Sequence, residues 1–245
     1  MLIDIHTHIL PDIDDGPDTM AEALHMVKYA AGSGITACAA TPHMPPMGSN
    51  IERTEYLDRI EDRVHRLKHA VIAEGINITL HRGAEVYYHP ETLPFIRHGN
   101  CGLSHSRYVL METSFRQCPP DFEHSMHNLL QNGIRPVFAH PERIGSLMGD
   151  IQTIARFVSA GILIQVTSGS VIGEFGEETA LFTDRLIAAG LVHVVASDAH
   201  PGRMFTLHRA FSHIGDRFGA QHAELLCRTN PEHILYNRDV RGIWQ

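Results

Sequence analysis

Short apolar runs alternate with longer stretches of helical periodicity along nearly the whole chain. Seven of the runs predict strands, at residues 2–5, 35–40, 78–85, 108–113, 134–139, 162–167 and 192–197. The clearest helix between them is indicated by apolar residues spaced three and four apart, namely Leu57, Ile60, Val64, Leu67 and Val71. Repeated βα units predict an α/β fold with a parallel sheet, and seven of them favour a distorted barrel. A doubly wound open sheet is the alternative, because periodicity alone does not exclude it.

Composition limits the location and the partners of the chain. The 245 residues are expected to form a single domain over 1–245. The net charge of −8, without any lysine- or arginine-rich run, disfavours nucleic acid as a partner. No apolar run approaches the roughly 20 residues that span a bilayer, and no signal peptide pattern is present, so we expect a cytoplasmic protein without membrane insertion. The four cysteines form no CxxC pair, which predicts reduced thiols, whereas the 19 histidines are an excess that points to metal chemistry.

Side chains that can bind metal stand at the carboxyl ends of six of the seven predicted strands. By the two-residue period of a strand, Asp4, His6 and His8 share one side. The later strand ends carry His43, Glu85, Glu112, His140, Asp198 and His200. Parallel barrels keep their active sites at this end of the strands, so we expect these residues to meet in one site.

Each of these signals is weak alone, and the prediction depends on their combination. The segment Asp14-Asp15-Gly16 is by default a turn, in which Asp15 is favoured over Asp14 as a ligand. Glu85 and Glu112 would be costly to bury without a partner, and a cation would provide one. Five imidazoles and four carboxylates without a thiolate favour manganese or iron, with zinc as an option. Nine ligands imply two or three clustered divalent ions, which suit displacement at phosphorus.

Two arginines are placed beside the expected ions. Arg143 lies three residues after His140, and Arg203 lies three residues after His200. A guanidinium group there would repel cations unless an anion lay between them, and its planar fork matches phosphate oxygens. We therefore expect phosphate binding, and the alternative is a salt bridge at the barrel rim, for example between Arg143 and Glu142.

Six short segments occur in order from the first residues to about position 203. They are Ile-Asp-Ile-His-Thr-His at 3–8, Asp-Ile-Asp-Asp-Gly-Pro at 12–17, Thr-Pro-His at 41–43, Gly-Ala-Glu-Val-Tyr-Tyr at 83–88, Ala-His-Pro-Glu-Arg at 139–143 and Ala-Ser-Asp-Ala-His at 196–200. With these segments the chain resembles the polymerase-and-histidinol-phosphatase (PHP) superfamily. More narrowly, it resembles the bacterial metal-dependent tyrosine phosphatases of capsule and exopolysaccharide clusters, the CpsB/CapC type. The His-x-His start is shared across the superfamily, whereas the segments at 12–17, 83–88 and 139–143 narrow the resemblance.

The resemblance implies a distorted seven-unit βα barrel with a trinuclear centre, typically of manganese. The implied ligands are His6, His8, Asp15, His43, Glu85, Glu112, His140, Asp198 and His200. Arg143 and Arg203 match the arginines that hold the phosphate, and the implied partner is a tyrosine autokinase of polysaccharide export. Two features depart from the family pattern: the segment between His200 and Arg203 is short, and Ile144 stands where an aromatic residue is common.

The expected reaction is direct hydrolysis of phosphotyrosine without a covalent enzyme intermediate. The phosphate bridges the ions, Arg143 and Arg203 bind its remaining oxygens, and a metal-bound hydroxide attacks in line. The phenolate leaving group has a pKa of about 10, and His43 or His200 would donate a proton to it if not fully committed to metal. The alternatives are a small-molecule phosphatase acting on histidinol phosphate or a nucleotide, and a non-catalytic scaffold stabilised by metal. A scaffold would be expected to have lost some of the ligands.

One further string suggests a different phosphatase chemistry, and its context argues against it. Cys101 and Arg107 have the C-x5-R spacing of cysteine-dependent tyrosine phosphatases, whose loop follows a strand and opens a helix. Here Arg107 runs directly into the strand predicted at 108–113. Tyr87 and Tyr88 are expected either to line the substrate mouth or to pack in the core.

Overall fold

The computed structural model describes residues 1–46, 49–98 and 101–242. Within them the chain forms nine strands: β1 (Leu2–Thr7), β2 (Ile35–Ala40), β3 (His43–Met44), β4 (Thr79–Arg82), β5 (Glu85–Tyr87), β6 (Tyr108–Glu112), β7 (Arg135–Ala139), β8 (Leu163–Thr167) and β9 (Val194–Ala196). The same residues form ten α-helices: α1 (Met20–Gly32), α2 (Asn50–Ala73), α3 (Leu93–His98), α4 (Phe122–Gln131), α5 (Ile151–Ser159), α6 (Ser168–Val171), α7 (Glu177–Ala188), α8 (Leu207–Phe218), α9 (Ala220–Glu224) and α10 (Asn230–Leu235). In these parts of the chain, no helix is both long and apolar enough to cross a membrane.

All strand pairs are parallel, and they form two sheets. One sheet has the order β1-β2-β4, and the other has the order β3-β5-β6-β7-β8-β9. The prediction of an α/β fold with parallel strands is therefore confirmed. The sheets meet at three places: β2 is followed by β3 and β4 by β5 after two residues each, and Thr7 of β1 pairs in parallel with Ala199 beyond β9.

The third predicted strand is two strands in the structure, and Gly83 separates them. A Cβ atom added to this glycine would lie 2.7 Å from Leu103 Cδ2 and 2.8 Å from Thr41 Cγ2. Only a residue without a side chain lets the backbone pass so close to both neighbours while it moves from the first sheet to the second. The sequence prediction also lacked the short strand β3, in which His43 pairs with Glu85.

Helix α2 supports both the core and the functional site. A capping box fixes its first turn, because Ser49 and Glu52 each accept the other's backbone N–H. Near this end, the hydroxyl of Tyr56 donates a hydrogen bond to the carbonyl oxygen of His43 at 2.5 Å. The predicted apolar stripe of this helix is buried, as expected: Leu57, Ile60, Val64, Leu67 and Val71.

The hydrophobic core consists of two clusters. The larger cluster contains the buried faces of the helices together with strand residues. The smaller one takes residues from five strands, often at alternate positions such as Ile3 and Ile5 of β1. Helix α10 adds Ile234 and Leu235 to this smaller cluster, so this carboxyl-terminal helix covers apolar residues of the strands.

Candidate metal centre

The structure brings together all nine side chains predicted as ligands. They form four groups whose nitrogen and oxygen atoms lie within 4.8 Å of one another: His8, Asp15, His43 and His200; His6, Glu85 and His140; His6, His8 and Asp198; and His43, Glu85 and Glu112. Shared members join the four groups into one centre. Six of the nine side chains are buried, while His43 and His200 are half-buried and Asp15 is exposed.

Glu85 lies in the middle of this centre. Its Oε2 atom is 3.2 Å from His6 Nε2, 3.3 Å from His8 Nε2 and 3.0 Å from His43 Nδ1. Its Oε1 atom is 2.9 Å from His140 Nε2. Burial alone would raise the pKa of this carboxyl group, but the surrounding imidazoles, His6 first among them, hold the pKa well below its usual range.

The pKa values of His8 and His43 are raised, whereas that of Glu85 is lowered. Burial lowers the pKa of an imidazole, yet the carboxylates of Asp14 and Glu85 raise the pKa of His8 to about 9. The carboxylates of Glu112 and Glu85 likewise outweigh burial and raise the pKa of His43 to about 11. In the metal-free protein these two rings therefore hold protons that a cation has to displace.

Asp198 and His200 form the side of the centre that follows β9. Asp198 Oδ1 lies 3.5 Å from His6 Nε2 and 3.6 Å from His8 Nε2. Burial would raise the pKa of Asp198, but the nearby imidazoles keep it at about 2. The ring of His200 stacks on that of His8 with centroids 3.9 Å apart, and its Nε2 is 3.2 Å from Asp15 Oδ1. Burial and the neighbouring His8 lower the pKa of His200 to about 4.

The atoms in the middle of the centre are suited to divalent cations. His6 Nε2 and His8 Nε2 face each other at 3.3 Å, and Glu85 Oε2 is buried without a hydrogen bond of good geometry despite its nitrogen neighbours. The opposite nitrogens of the two rings are anchored: His6 Nδ1 lies 2.9 Å from Gln165 Oε1, and His8 Nδ1 lies 2.7 Å from Asp14 Oδ2. Imidazoles that are anchored through one nitrogen and present the other to a shared point have the arrangement of metal ligands. The residues present therefore fit a metal site of imidazole and carboxylate donors.

Three residues that position the ligands were not among the predicted site residues. Asp14, which the sequence made a less favoured ligand than Asp15, contacts His8 Nδ1 and accepts the backbone N–H of His43 at 3.0 Å. Asp4 accepts the backbone N–H of Ser197 at 3.1 Å, and burial raises the pKa of Asp4 to about 6. Gln165 lies in the middle of β8, where only its polarity within a buried apolar run could have marked it.

Two of the candidate ligands lie on strained backbone. His140 has a φ of 37° and Asp198 a φ of 52°, in the left-handed region that side chains other than glycine rarely adopt. Each residue comes just after a strand, and neighbouring strands hold it there: His140 donates its backbone N–H to the carbonyl of Gln165 at 2.8 Å, and Asp198 to that of His6 at 2.9 Å. Such strain is concentrated at functional sites, where the surrounding structure enforces it.

Arg143 and Arg203 lie beside the centre, where the sequence placed them. Their guanidinium groups bind the same carboxylate oxygen, Asp198 Oδ2, at 2.7 and 2.9 Å. Glu142, the alternative partner of Arg143, is instead fully buried, and its Oε1 accepts the backbone N–H of Thr167 at 2.9 Å. Arg143 therefore forms a salt bridge with Asp198 and not with Glu142.

Two phenylalanine rings enclose the guanidinium group of Arg143. Its Cζ atom lies 4.6 Å from the ring centroid of Phe115 and 4.1 Å from that of Phe175, within the range of cation–π contacts. The ring of Phe115 also lies 5.1 Å from that of His140. Both phenylalanines lie in loops, and no motif in the sequence singled them out.

A pocket of about 700 Å³ adjoins the centre. It shares His43 and Glu112 with the centre, and its walls include Pro45, Tyr87, Phe115 and Arg116. Tyr88, next to the pocket residue Tyr87, is buried and hydrogen-bonds Ser125 Oγ through its hydroxyl at 2.8 Å. Of the two tyrosines, Tyr87 lines the pocket and Tyr88 packs in the core.

A model of the family described as capsular polysaccharide synthesis, CpsB/CapC, matches residues 2–236. The chain belongs to the CpsB/CapC family. It is 31% identical to the tyrosine-protein phosphatase YwqE of Bacillus subtilis, over 98% of this chain and 93% of that protein. It is 28% identical to the tyrosine-protein phosphatase CpsB of Streptococcus pneumoniae, over 97% of this chain and 99% of that protein.

Solved structures agree with this membership. A structure from work on YwqE of Bacillus subtilis and CpsB of Streptococcus pneumoniae, described as unique metal-dependent tyrosine phosphatases, superposes with a TM-score of 0.90. The identity is 30%, and the match covers 98% of this chain and 97% of the other. A phosphotriesterase homology protein from Escherichia coli superposes with a TM-score of 0.62 at 12% identity, covering 96% and 98% of the two chains, and shares the fold alone.

Two sequence features of this family member have clear structural outcomes. Ile144, which replaces a common aromatic residue, has no exposed surface and belongs to the larger core cluster, so it does not form a wall of the pocket. Cys101 is buried, and burial raises the pKa of its thiol to about 12. A nucleophilic cysteine needs a lowered pKa, so this thiol is unsuited to catalysis, as the sequence context predicted.

Proposed function

We propose that this member of the CpsB/CapC family is a metal-dependent phosphomonoesterase that hydrolyses phosphotyrosine in a protein substrate. One observation carries the proposal: nine imidazole and carboxylate side chains converge on one centre, and Arg143 and Arg203 stand beside it. Cations and guanidinium groups that face one space suit a phosphate dianion. The relatives named tyrosine-protein phosphatases support phosphotyrosine as the ester. By the same relationship we propose a tyrosine autokinase of polysaccharide export as the partner, met in the cytoplasm.

We propose that the centre holds two or three divalent ions, with manganese as the resident metal and iron or zinc as the alternatives. The donor set supports this choice, because imidazole and carboxylate without thiolate suit these metals. Four candidate carboxylates would leave a surplus of positive charge on three divalent ions, which favours a dianionic substrate. When bound, such ions lower the pKa of water and stabilise the attacking and leaving oxygens of an in-line displacement.

The remaining roles belong to side chains of this chain, in a hydrolysis without a covalent enzyme intermediate. Arg143 and Arg203 have N–H donors beyond those bound to Asp198, and we assign phosphate oxygens to these donors. His43 stands at the half-buried edge between the centre and the pocket, with Nδ1 2.9 Å from Glu112 Oε1. We assign to His43 the proton for the leaving phenolate, provided that one ring nitrogen is free of metal, with the more buried His200 as the second candidate.

For the fold, we propose that the two sheets close into one distorted barrel of seven βα units within a single domain over 1–245. The chain passes from β2 to β3 and from β4 to β5 within two residues, so the nine strands occupy seven positions. Closure is supported by the bridge between Thr7 and Ala199 and by the hydrogen bond from the backbone N–H of Asp198 to the carbonyl of His6. An open doubly wound sheet has no such link between its outer strands.

The proposed function is tested by comparing substrates at equal metal loading. The protein is stripped with a chelator, reloaded with manganese, and assayed on a phosphotyrosine peptide, histidinol phosphate and a nucleotide monophosphate. We expect kcat/KM to favour the phosphotyrosine peptide by more than about tenfold, activity to vanish on chelation, and Cys101→Ser to remain active. A preference for histidinol phosphate would contradict the substrate, and activity that persists after chelation would contradict the metal requirement.

A further inference from the structure

The pocket beside the metal centre has more room than a phosphate and one aromatic ring require. At about 700 Å³, it lies in the range that holds ligands of drug size. It shares His43 and Glu112 with the centre, so a group bound in it is contiguous with the place where the phosphate ester would lie. We call it the flanking pocket, and define it by His43, Tyr87, Glu112, Phe115 and Arg116.

The walls of the flanking pocket combine exposed apolar surface with little competing charge. Phe115 is 48% exposed, although its ring also contacts Arg143. Large apolar side chains exposed inside a concave site indicate a place where a ligand is bound. The one carboxylate of the pocket, Glu112, lies 2.9 Å from His43 Nδ1 and thus belongs to the metal centre. The apolar walls therefore suit the apolar parts of the side chains of a peptide.

Arg116 is the cation of this pocket. It is exposed, and among the described residues no carboxylate lies within ion-pair distance of its guanidinium group. Arg143 and Arg203 differ in this respect, since both bind Asp198. The chain has a net charge of −8, yet no carboxylate among the described residues pairs with Arg116. Its guanidinium group is therefore available to an anionic group on the substrate.

The loop that carries Arg116 is fixed relative to the phosphate-binding arginine. Gly145 donates its backbone N–H to the carbonyl of Phe115 at 2.8 Å, and Ser146 donates to the carbonyl of Arg116 at 3.1 Å. Both donors follow Arg143 closely in the chain. The backbone of the two arginines is thus held at a set separation, as recognition of two groups on one substrate requires.

We propose that the flanking pocket binds the peptide next to the phosphotyrosine and that Arg116 selects substrates with an anionic group there. The inference rests on the proposed phosphotyrosine phosphatase activity and extends it to the sequence around the scissile ester. A neighbouring aspartate or glutamate and a second phosphotyrosine offer the same chemistry to the guanidinium group. Arg116 is thereby a specificity-determining residue, and the chemistry at phosphorus is left to the metal centre.

The test uses matched phosphotyrosine peptides with the manganese-loaded enzyme. One set carries glutamate or glutamine at each of the two positions on either side of the phosphotyrosine. Another carries a hydrolysis-resistant phosphonomethyl-phenylalanine at those positions, which represents a second phosphotyrosine. Wild type, Arg116→Gln and Arg185→Gln are compared, because Arg185 is an exposed arginine on α7 that does not line the pocket.

The readout is the ratio of kcat/KM for the anionic and neutral peptides within each enzyme, so a general loss of activity cancels. We expect a ratio of about three to five for at least one position in wild type, the size of one exposed ion pair. The ratio should fall toward one in Arg116→Gln and at high salt, and stay unchanged in Arg185→Gln. If the phosphonate raises the ratio and glutamate does not, the anion comes from a second phosphotyrosine; the reverse result assigns it to an acidic residue.

Failure of this inference is distinguishable from failure of the proposed function. If wild type and Arg116→Gln both cleave all the phosphotyrosine peptides equally, the role of Arg116 is overturned and the phosphatase activity stands. An enzyme that cleaves none of them, nor a simple aryl phosphate, would instead overturn the proposed function itself.

Discussion

The metal centre has a buried half and an open half, which are held by different means. In the buried half, Glu85 has no exposed side-chain surface, and the ring of His6 is anchored by Gln165 on the side away from the centre. In the open half, the side chain of Asp15 is 63% exposed and that of His43 is 36% exposed. The buried half therefore has a geometry fixed before any ion binds, whereas the open half can adjust to ion and substrate. We expect substitutions in the two halves to differ in size and in kind.

The largest contrast should come from replacing one carboxylate in each half. Glu85→Gln keeps the size of the side chain but removes a negative charge that lies within 3.3 Å of three imidazoles. We expect kcat to fall on the order of a thousandfold or more, with less bound manganese, because the centre loses its middle ligand. Asp15→Asn should cost about tenfold, since an exposed ligand is more easily replaced by water. Equal losses in kcat and metal content for the two variants would remove the distinction between the halves.

Proton release on metal binding sharpens the comparison. The pKa of His8, about 9, and that of His43, about 11, both lie above the ordinary value of 6.5, so both rings are protonated in the metal-free protein at pH 7.5. Manganese must displace these protons, so its affinity should rise with pH, by about a hundredfold per unit between pH 7 and 8.5 for two protons. Calorimetry in two buffers of different ionisation enthalpy counts the protons directly. His43→Gln should lower the count by one, and heats that do not depend on the buffer would contradict the expectation.

A positioning role for Asp14 predicts a smaller effect on metal affinity. Asp14→Asn removes the carboxylate that holds His8 Nδ1 at 2.7 Å, so the ring loses its preferred orientation and basicity. We expect manganese to bind about 10- to 100-fold more weakly, with kcat recovering much of its value at saturating metal. Asp12→Asn is the matched control, because Asp12 is exposed and pairs with Arg63 at the surface. Identical manganese affinity in the Asp14 and Asp12 variants would argue against the role.

The smallest effect concerns the ring that covers Arg143, the arginine that we propose binds phosphate. Phe175→Leu removes the closer of the two cation–π contacts to Arg143, at 4.1 Å. We expect KM for a phosphotyrosine peptide to rise about two- to fivefold, as one partly exposed cation–π contact permits. Tyr236→Leu is the matched control, because Tyr236 makes a similar contact with Arg238 at 5.6 Å on an exposed surface. An unchanged KM for Phe175→Leu would show that Arg143 needs no ring to orient it.

The candidate ligands were predictable because each has a local signal. Except for Asp15, which lies in a predicted turn, their polar side chains come at the ends of buried apolar runs, and parallel strands bring such ends together whatever the details of the helices. Residues whose role depends on a distant partner had no such signal. Phe175 becomes relevant only because its loop reaches Arg143, and Gln165 only because β8 pairs beside β7 and reaches His6. Pair contacts of this kind are not encoded in the periodicity of either segment.

The fold shows the same division. The parallel α/β arrangement follows from repeated apolar runs and amphipathic helices, and each predicted strand overlaps an observed one. The break between β4 and β5 does not follow from them, because it depends on how closely Thr41 and Leu103 approach Gly83. From the sequence alone, that glycine is one small residue in an apolar run and gives no sign that the chain changes sheets there.

The link between β1 and the chain after β9 has a consequence for how the protein matures. His8 and Asp198 meet through this link, yet 190 positions separate them in the chain. At a synthesis rate of about 5–20 residues per second, roughly 10–40 s pass on the ribosome between the two. During that interval the first histidines exist without the carboxylate that completes their site. We therefore expect metal to bind after β9 has been synthesised, as a late step in the maturation of this chain.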